Sequence, residues 1–343
     1  MRDMKLIAFL LAVLVFFAVG FLLHLMAAIL LPLVVAFFLS MIFSPMVGAL
    51  RRRKVPEAVS ILLVLLLVFA TLLIFSWIFY SSARSFTAAI PRYQARVVTM
   101  QVALTLRVST SFPWLAEQIR GMQWDKAVDV SAVTGFLAAS LGSFVVIIDE
   151  IALIVLYLVF LLMGSESFPQ KLKKALAEER AERLGSVMHN IEHQVRKYLV
   201  TKTVLNLITA TSVTILLWLC GVDFPLVWGF LTFLAHFIPQ LGAILSVGLP
   251  AVFMLIQFES PGWALFVAAL SGVIQFTMGN VVEARVMGTS LDMSPLLVLL
   301  SLIFWGWLWG VWGMVLAVPI TSMIKIICEN VQPLRPIAIL MSE

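Results

Sequence analysis

The sequence predicts an all-α polytopic membrane protein with about six to eight membrane segments. Two of these are broken by Gly and Pro or re-entrant, and amphipathic extramembrane helices complete the chain. Three observations carry this. Hydrophobic residues make up 62% and charged residues 12%, with a mean hydropathy of +1.08, whereas soluble proteins run near half apolar and a quarter charged. Apolar runs of spanning length recur along the chain. Two of those runs are too long for one crossing and carry helix breakers near their middles.

The first segment, "MRDMKLIAFLLAVLVFFAVG", joins a basic tip to an apolar run, as a signal peptide does. Its apolar character continues past one His to about residue 50, with no small-x-small cleavage site, so it is expected to be a retained span. Spans at 6–24 and 26–44 form a tight hairpin around His24. "RRRK" from Arg51 to Lys54 follows, then a span at 58–80. The positive-inside rule puts that basic loop and the N-terminus in the cytoplasm. Residues 1–80 thus form a block of three spans. The modest basic excess sits in such juxtamembrane clusters, which suits membrane lipid as a partner and not nucleic acid.

Residues 81–140 are mixed, with helical periodicity and no span, and are placed on the outer face as amphipathic helices. The span at 141–163 ends at Met163. Counting back about 20 residues reaches Phe144 and brings Asp149 and Glu150 into the hydrocarbon. Charges at such depth face a cavity or a partner; the alternative is a helix that starts at the acidic pair, at the interface. Residues 164–203 read as a cytoplasmic amphipathic helix. Ser167 and Gln170 form a capping-box pattern, and an apolar stripe runs from Phe168 through Leu184, Met188 and Val195 to Tyr198. His189 and His193 stand four apart, but a third ligand is not apparent and no metal is expected. Cys220 and Cys328 make neither a disulfide framework nor a metal site.

Residues 204–328 form the membrane core, and 329–343 a C-terminal tail. The span at 204–220 carries Asn206, Thr209, Thr211, Ser212 and Thr214, which either bond their own helix and its neighbours or line a polar path. Residues 226–257 and 295–325 would each be near 47 Å as one helix, beyond a hydrocarbon layer of about 30 Å. The first contains Pro239, Gln240 and Gly242. The second contains Gly306, Gly310, Gly313 and Pro319. They echo each other in "GAILSVGLP" and "GMVLAVP". Paired Gly/Pro-interrupted segments point to a transporter's binding site, because half-helix ends expose free backbone groups. Kinked packing, with glycines allowing close contact, is the plainer alternative. Between the two, "GNVVEARVMGTSLDMSP" brings Asn280, Glu283, Arg285 and Asp292 into a short connector, with Gln275 about two turns earlier. Glu283 and Arg285 either pair or present charge to a solute.

"IPQLGAILSVGLP", "IEHQVRKYLVTKTVLN" and the stretch from Gly279 to Ile320 together resemble the autoinducer-2 exporter family of bacterial inner-membrane permeases. The resemblance spans most of the chain and is strongest from 190 to 328. It implies a secondary transporter, with autoinducer-2, a small polar quorum signal, as the solute. It also implies a homo-oligomer, with a pentamer as one form, in a bacterial inner membrane; the basic loop and the span topology, not the resemblance, put both termini in the cytoplasm. Some relatives are sodium or lithium/proton antiporters. The motif positions present are Pro239 and Gly242, Gly279-Asn280, Arg285 to Gly288, and Gly313 with Pro319; Ala284 departs from the family's usual Pro.

The site is accordingly expected at Pro239, Gln240, Gly242, Asn280, Glu283, Arg285, Gly310 and Gly313. Asp149, Glu150 and Asp223, together with Glu283, are the candidates for the alternative, a monovalent cation/proton antiporter. No Walker A, HExxH, GxGD or GxSxG pattern occurs, so neither enzymatic chemistry nor a cofactor is expected.

Overall fold

A computed structural model describes residues 2–109, 117, 151–164, 174, 178–239, 241–287 and 293–342. Among them the chain is helical, without a strand. The helices are α1 (Arg2–Leu25), α2 (Ala27–Arg52), α3 (Glu57–Ser109), α4 (Ile151–Gly164), α5 (Glu178–Leu219), α6 (Pro225–Ala235), α7 (Leu241–Phe258) and α8 (Pro261–Phe276). A π-helical turn, Thr277–Glu283, extends α8 into α9 (Ala284–Met287), and α10 (Pro295–Asn330) and α11 (Arg335–Met341) close the chain. Five described helical stretches are long and apolar enough to cross a membrane: Ala27–Arg52, Leu184–Leu219, Leu241–Phe258, Pro261–Glu283 and Pro295–Asn330. The protein is a multi-pass, all-α membrane protein.

Local chemistry sets several of the helix ends. α8 and α10 both begin at a Ser-Pro pair. Ser260 and Ser294 accept hydrogen bonds from the Trp263 and Leu297 amides at 3.4 and 3.2 Å, and Pro261 and Pro295 follow where no amide is needed. Arg51 and Arg52 occupy the last turn of α2, where the helix dipole favours cations. Two helices run further than composition suggested. α3 remains helical past position 80, and α5 past 203. Ser167 to Gln170, with Asp149 and Glu150, lie outside the described residues. In the amphipathic stripe of α5, Val195 and Tyr198 are buried while Leu184 and Met188 are exposed.

The chain divides into two compact units. The first comprises Met1–Leu67, Ile148–Thr201 and Thr289–Glu343. Its core packs Ala36 and Val47 of α2 against Ile61 and Val64 of α3 and Leu158 and Leu162 of α4. In the same unit α10 folds back on itself. Trp309 and Gly310 leave helical geometry, and the Trp305 indole N–H donates to the Thr321 hydroxyl at 3.2 Å. Sixteen residues of straight helix would separate these two by about 24 Å. The turn abuts the α1–α2 bend: the His24 ring nitrogen Nδ1 is bonded to the Leu308 carbonyl at 2.8 Å, and the Trp309 indole to that of Leu23 at 3.3 Å.

The second unit comprises Val68–Ile147 and Lys202–Gly288. Its core joins Tyr93 of α3, Val213 and Leu217 of α5, Phe253 and Met254 of α7, and Ala264 and Val267 of α8. Here α6 and α7 form a second helical hairpin, and the start of α6 meets the end of α7 through the Gln257 side chain. That amide donates to the Gly221 carbonyl at 2.8 Å and accepts from the Asp223 N–H at 2.9 Å. The turn at 236–240 therefore lies at the far end. Both segments expected to be broken thus double back.

Candidate functional site: the turn of the α6–α7 hairpin

The turn is possible because Gly242 has no side chain. A Cβ there would stand 2.6 Å from the Ala235 carbonyl oxygen and 2.7 Å from the His236 Cα. Gly313 plays the same part in α10, where a Cβ would overlap the Trp305 carbonyl. The two echoing motifs therefore begin at equivalent places, the point where a returning arm presses on the outgoing one.

Around the first turn, apolar helices contribute polar side chains in pairs four apart. α6 supplies Thr232 and His236, α8 supplies Ser271 and Gln275, and α5 supplies Lys202 and Asn206. Spacing of four puts each pair on one helix face. His236 Nδ1 donates to the Thr232 carbonyl at 2.8 Å, and Nε2 meets the Gln275 amide at 2.5 Å. Ser246 of α7 caps the group: its hydroxyl donates to the Gly242 carbonyl at 2.6 Å and lies 3.4 Å from the His236 ring. α5 runs opposite to α6 and packs on it where Gly229 faces Ala210 and Thr214. Lys202 is buried and bonds Glu283 at 2.5 Å.

Three polar atoms, Asn206 Nδ2 on α5, Thr232 Oγ1 on α6 and Ser271 Oγ on α8, are buried without a protein partner, while the Gln275 amide serves the His236 Nε2 as donor. Leaving such a group unmatched costs about 1–3 kcal/mol each. The hydroxyls of Thr209, Ser212 and Thr214 behave differently, each donating to the carbonyl four residues back in α5.

The sequence-derived candidates separate accordingly. Pro239 and Gly242 form the turn, and Glu283 joins the cluster. Gly310 and Gly313 belong to the α10 hairpin of the other unit. Glu283 pairs with Lys202 and not with the exposed Arg285. Asn280 is also exposed, its amide donating to the Phe276 carbonyl of its own helix at 3.3 Å. Asp223 stands at the opposite end of the hairpin. Arg92 bonds it at 2.6 Å, and the Tyr93 hydroxyl donates to it. Burial and that bond push the Tyr93 phenol up to about 12, so it remains a donor. Gln240, Asp149, Glu150 and Asp292 lie outside the described residues. Lys202, Thr232, His236 and Ser271 were not singled out from the sequence, although their spacing was visible in it.

Gln257 ties the hairpin's ends, and Arg96 donates to its backbone carbonyl. Gln257→Leu is expected to lower stability by about 1–3 kcal/mol, because it strands the Asp223 N–H and the Gly221 carbonyl. Thermal unfolding of the purified protein checks this; an unchanged transition would show the tie to be dispensable.

The sequence model for the AI-2E family transporters matches residues 11–332. This chain belongs to that family. Among curated proteins, the family member is 31% identical over 323 residues to the AI-2 transport protein TqsA of Escherichia coli K12, covering 92% of this chain and 90% of that one. It is 31% identical over 320 residues to the putative transport protein YhhT of the same organism, covering 93% and 89%. A putative transport protein of Haemophilus influenzae is 29% identical over 309 residues, covering 89% and 87%. As an AI-2E family transporter it is a membrane transport protein.

Proposed function

We infer that this AI-2E family transporter is a secondary exporter of a small polar organic signal, with autoinducer-2 as the first candidate, across the bacterial inner membrane. One observation carries the reading: a helical hairpin with a glycine-dependent turn is set against buried polar groups that lack partners, at a depth otherwise apolar. A hydroxylated solute supplies the missing hydrogen bonds, and a hairpin end is a place where backbone groups also come free. The similarity to TqsA, an AI-2 transport protein, supports autoinducer-2 over other polar solutes. The "RRRK" loop supports cytoplasmic termini, and a homo-oligomer remains part of the proposal.

Cation exchange finds less support. It needs a carboxylate free to trade a proton for a cation, but Glu283 is held by Lys202, and Asp223 by Arg92 and Tyr93. In signal-producing cells, wild-type protein is expected to speed the loss of internal autoinducer-2, and Gly242→Leu at equal expression is expected not to. Equal internal and external levels with and without the wild-type chain would overturn the reading.

A further inference from the structure

From Pro225 to Phe258 the hairpin carries a single titratable side chain, His236, and it stands in the turn. Its two ring nitrogens are held in different ways. Nδ1 lies 2.8 Å from the Thr232 carbonyl oxygen. A carbonyl only accepts, so Nδ1 keeps its hydrogen in every state of the ring. Nε2 lies 2.5 Å from the side-chain amide of Gln275 on α8. A primary amide has a donor end and an acceptor end, and half a turn about its last bond exchanges them. A bare Nε2 takes a hydrogen bond from the amide N–H, and a protonated Nε2 gives one to the amide oxygen. The half-buried ring can therefore gain or lose a proton with both nitrogens partnered throughout.

Other charged groups do not compete for that role. α7 and α8 carry none. α5 brings Lys202, its last charged residue, and the π-helical turn brings Glu283; these two neutralise each other at 2.5 Å. Asp223 is held at the opposite end of the hairpin by Arg92 and Tyr93, and Arg285 is exposed. The position of His236 also ties its charge to the turn. A Cβ at Gly242 would stand 2.7 Å from the His236 Cα. The Ser246 hydroxyl, bonded to the Gly242 carbonyl at 2.6 Å, lies 3.4 Å from the ring. A proton gained here falls on the contact at which the hairpin closes.

We propose that His236 binds the proton that drives export, entering the cell as the signal leaves, with Gln275 as the residue that positions the ring in both states. The proposal rests on the exporter reading and deepens it by naming the coupling ion and its carrier. A proton from the outer water adds to the Nε2 lone pair and the Gln275 amide turns to accept the new N–H. Release to the inner water reverses both. The proton is traded for the solute, not for a metal cation.

The experiment uses the full chain in proteoliposomes loaded with autoinducer-2, with a pH dye inside and the voltage clamped by potassium and valinomycin. Solute efflux and lumen pH are followed together. A second measurement needs no solute: nitrogen-15 spectra of histidine-labelled protein at about pH 5 and about pH 8, with the His236 signals identified by their loss in His236→Gln. Ser212→Ala, whose hydroxyl bonds its own helix, is the control.

Wild type and Ser212→Ala are expected to acidify the lumen as the signal leaves. His236 should show two protonated nitrogens at the lower pH and one at the higher. His236→Gln should move no proton per solute, whatever solute flux remains. Gln275→Met should lower the protons moved per solute on the order of 10-fold and keep the ring singly protonated at both pH values. It leaves His236 in place, so it decides alone if His236→Gln does not fold. Acidification by His236→Gln equal to wild type would overturn the assignment, as would His236 signals that do not change with pH. Wild-type efflux without acidification would overturn the coupling and leave the exporter reading standing. If wild type moves no autoinducer-2, the exporter reading falls and the spectra decide the proton site by themselves.

Discussion

Gly313→Leu is expected to abolish transport and to lower stability by more than about 3 kcal/mol. Even a Cβ at this position would overlap the Trp305 carbonyl, with the Trp309 Cβ 3.1 Å away on the other side. The obstacle is backbone, so a rotamer change does not relieve it; the arms of α10 have to separate. Separation would break the Trp305–Thr321 hydrogen bond and pull the turn from its contacts with His24 and Leu23. Gly272→Ala provides the comparison. It sits inside α8 with nothing within 4 Å of the added carbon, and helix propensity predicts a gain of about 0.5–1 kcal/mol. Unfolding and autoinducer-2 flux, measured on both variants, test the contrast. A Gly313→Leu protein as active as Gly272→Ala would show that the arms of α10 need not touch.

The second large effect is expected at the Lys202–Glu283 pair. Glu283→Gln leaves a lysine with 6% side-chain exposure beside no opposite charge. Removing one partner of such a pair costs about 3–5 kcal/mol. Lys202→Met is expected to cost less, because the stranded Glu283 keeps 27% of its side chain exposed. The double substitution Lys202→Met/Glu283→Gln should recover most of the loss, since the expense lies in the uncompensated charge and not in the missing bond. A double-mutant cycle on unfolding free energy measures the coupling. Strict additivity would mean that the two residues do not act as a pair.

How far the sequence reached depends on what each feature required. Breaks near 239–242 and 306–313 were legible because Gly and Pro have few other uses in an apolar run, and both segments do double back. The all-α, multi-pass class followed from hydropathy; five described stretches have spanning length against the six to eight segments expected. The partner of Glu283 was not legible: Arg285 is two residues away, but on a helix residues two apart point to different faces, while Lys202 lies 81 positions upstream. Lys202 itself looked like the tail of a charged amphipathic helix. Asn280, conspicuous in its motif, turns back to its own backbone and stays exposed. The better signal was periodic: Thr232/His236 and Ser271/Gln275 are polar pairs four apart on otherwise apolar stretches, and Lys202/Asn206 is a third where the charged stretch gives way to the span. No single pair is informative, but three such faces need a common destination, since lipid cannot solvate them.

The two turns answer differently to evolutionary change. At 236–239 no residue has a positive φ among those described, so the turn is made of conformations open to ordinary amino acids, and its demand is steric and local to Gly242. The α10 turn rests on Gly310, at φ 62° and ψ −142°, a region that only glycine enters readily, although an added Cβ would find nothing within 4 Å. Room is available there and conformation is not. A lineage can therefore respell the first turn letter by letter while Gly242 holds. The second admits a single letter at 310, and selection has no gradual route away from it.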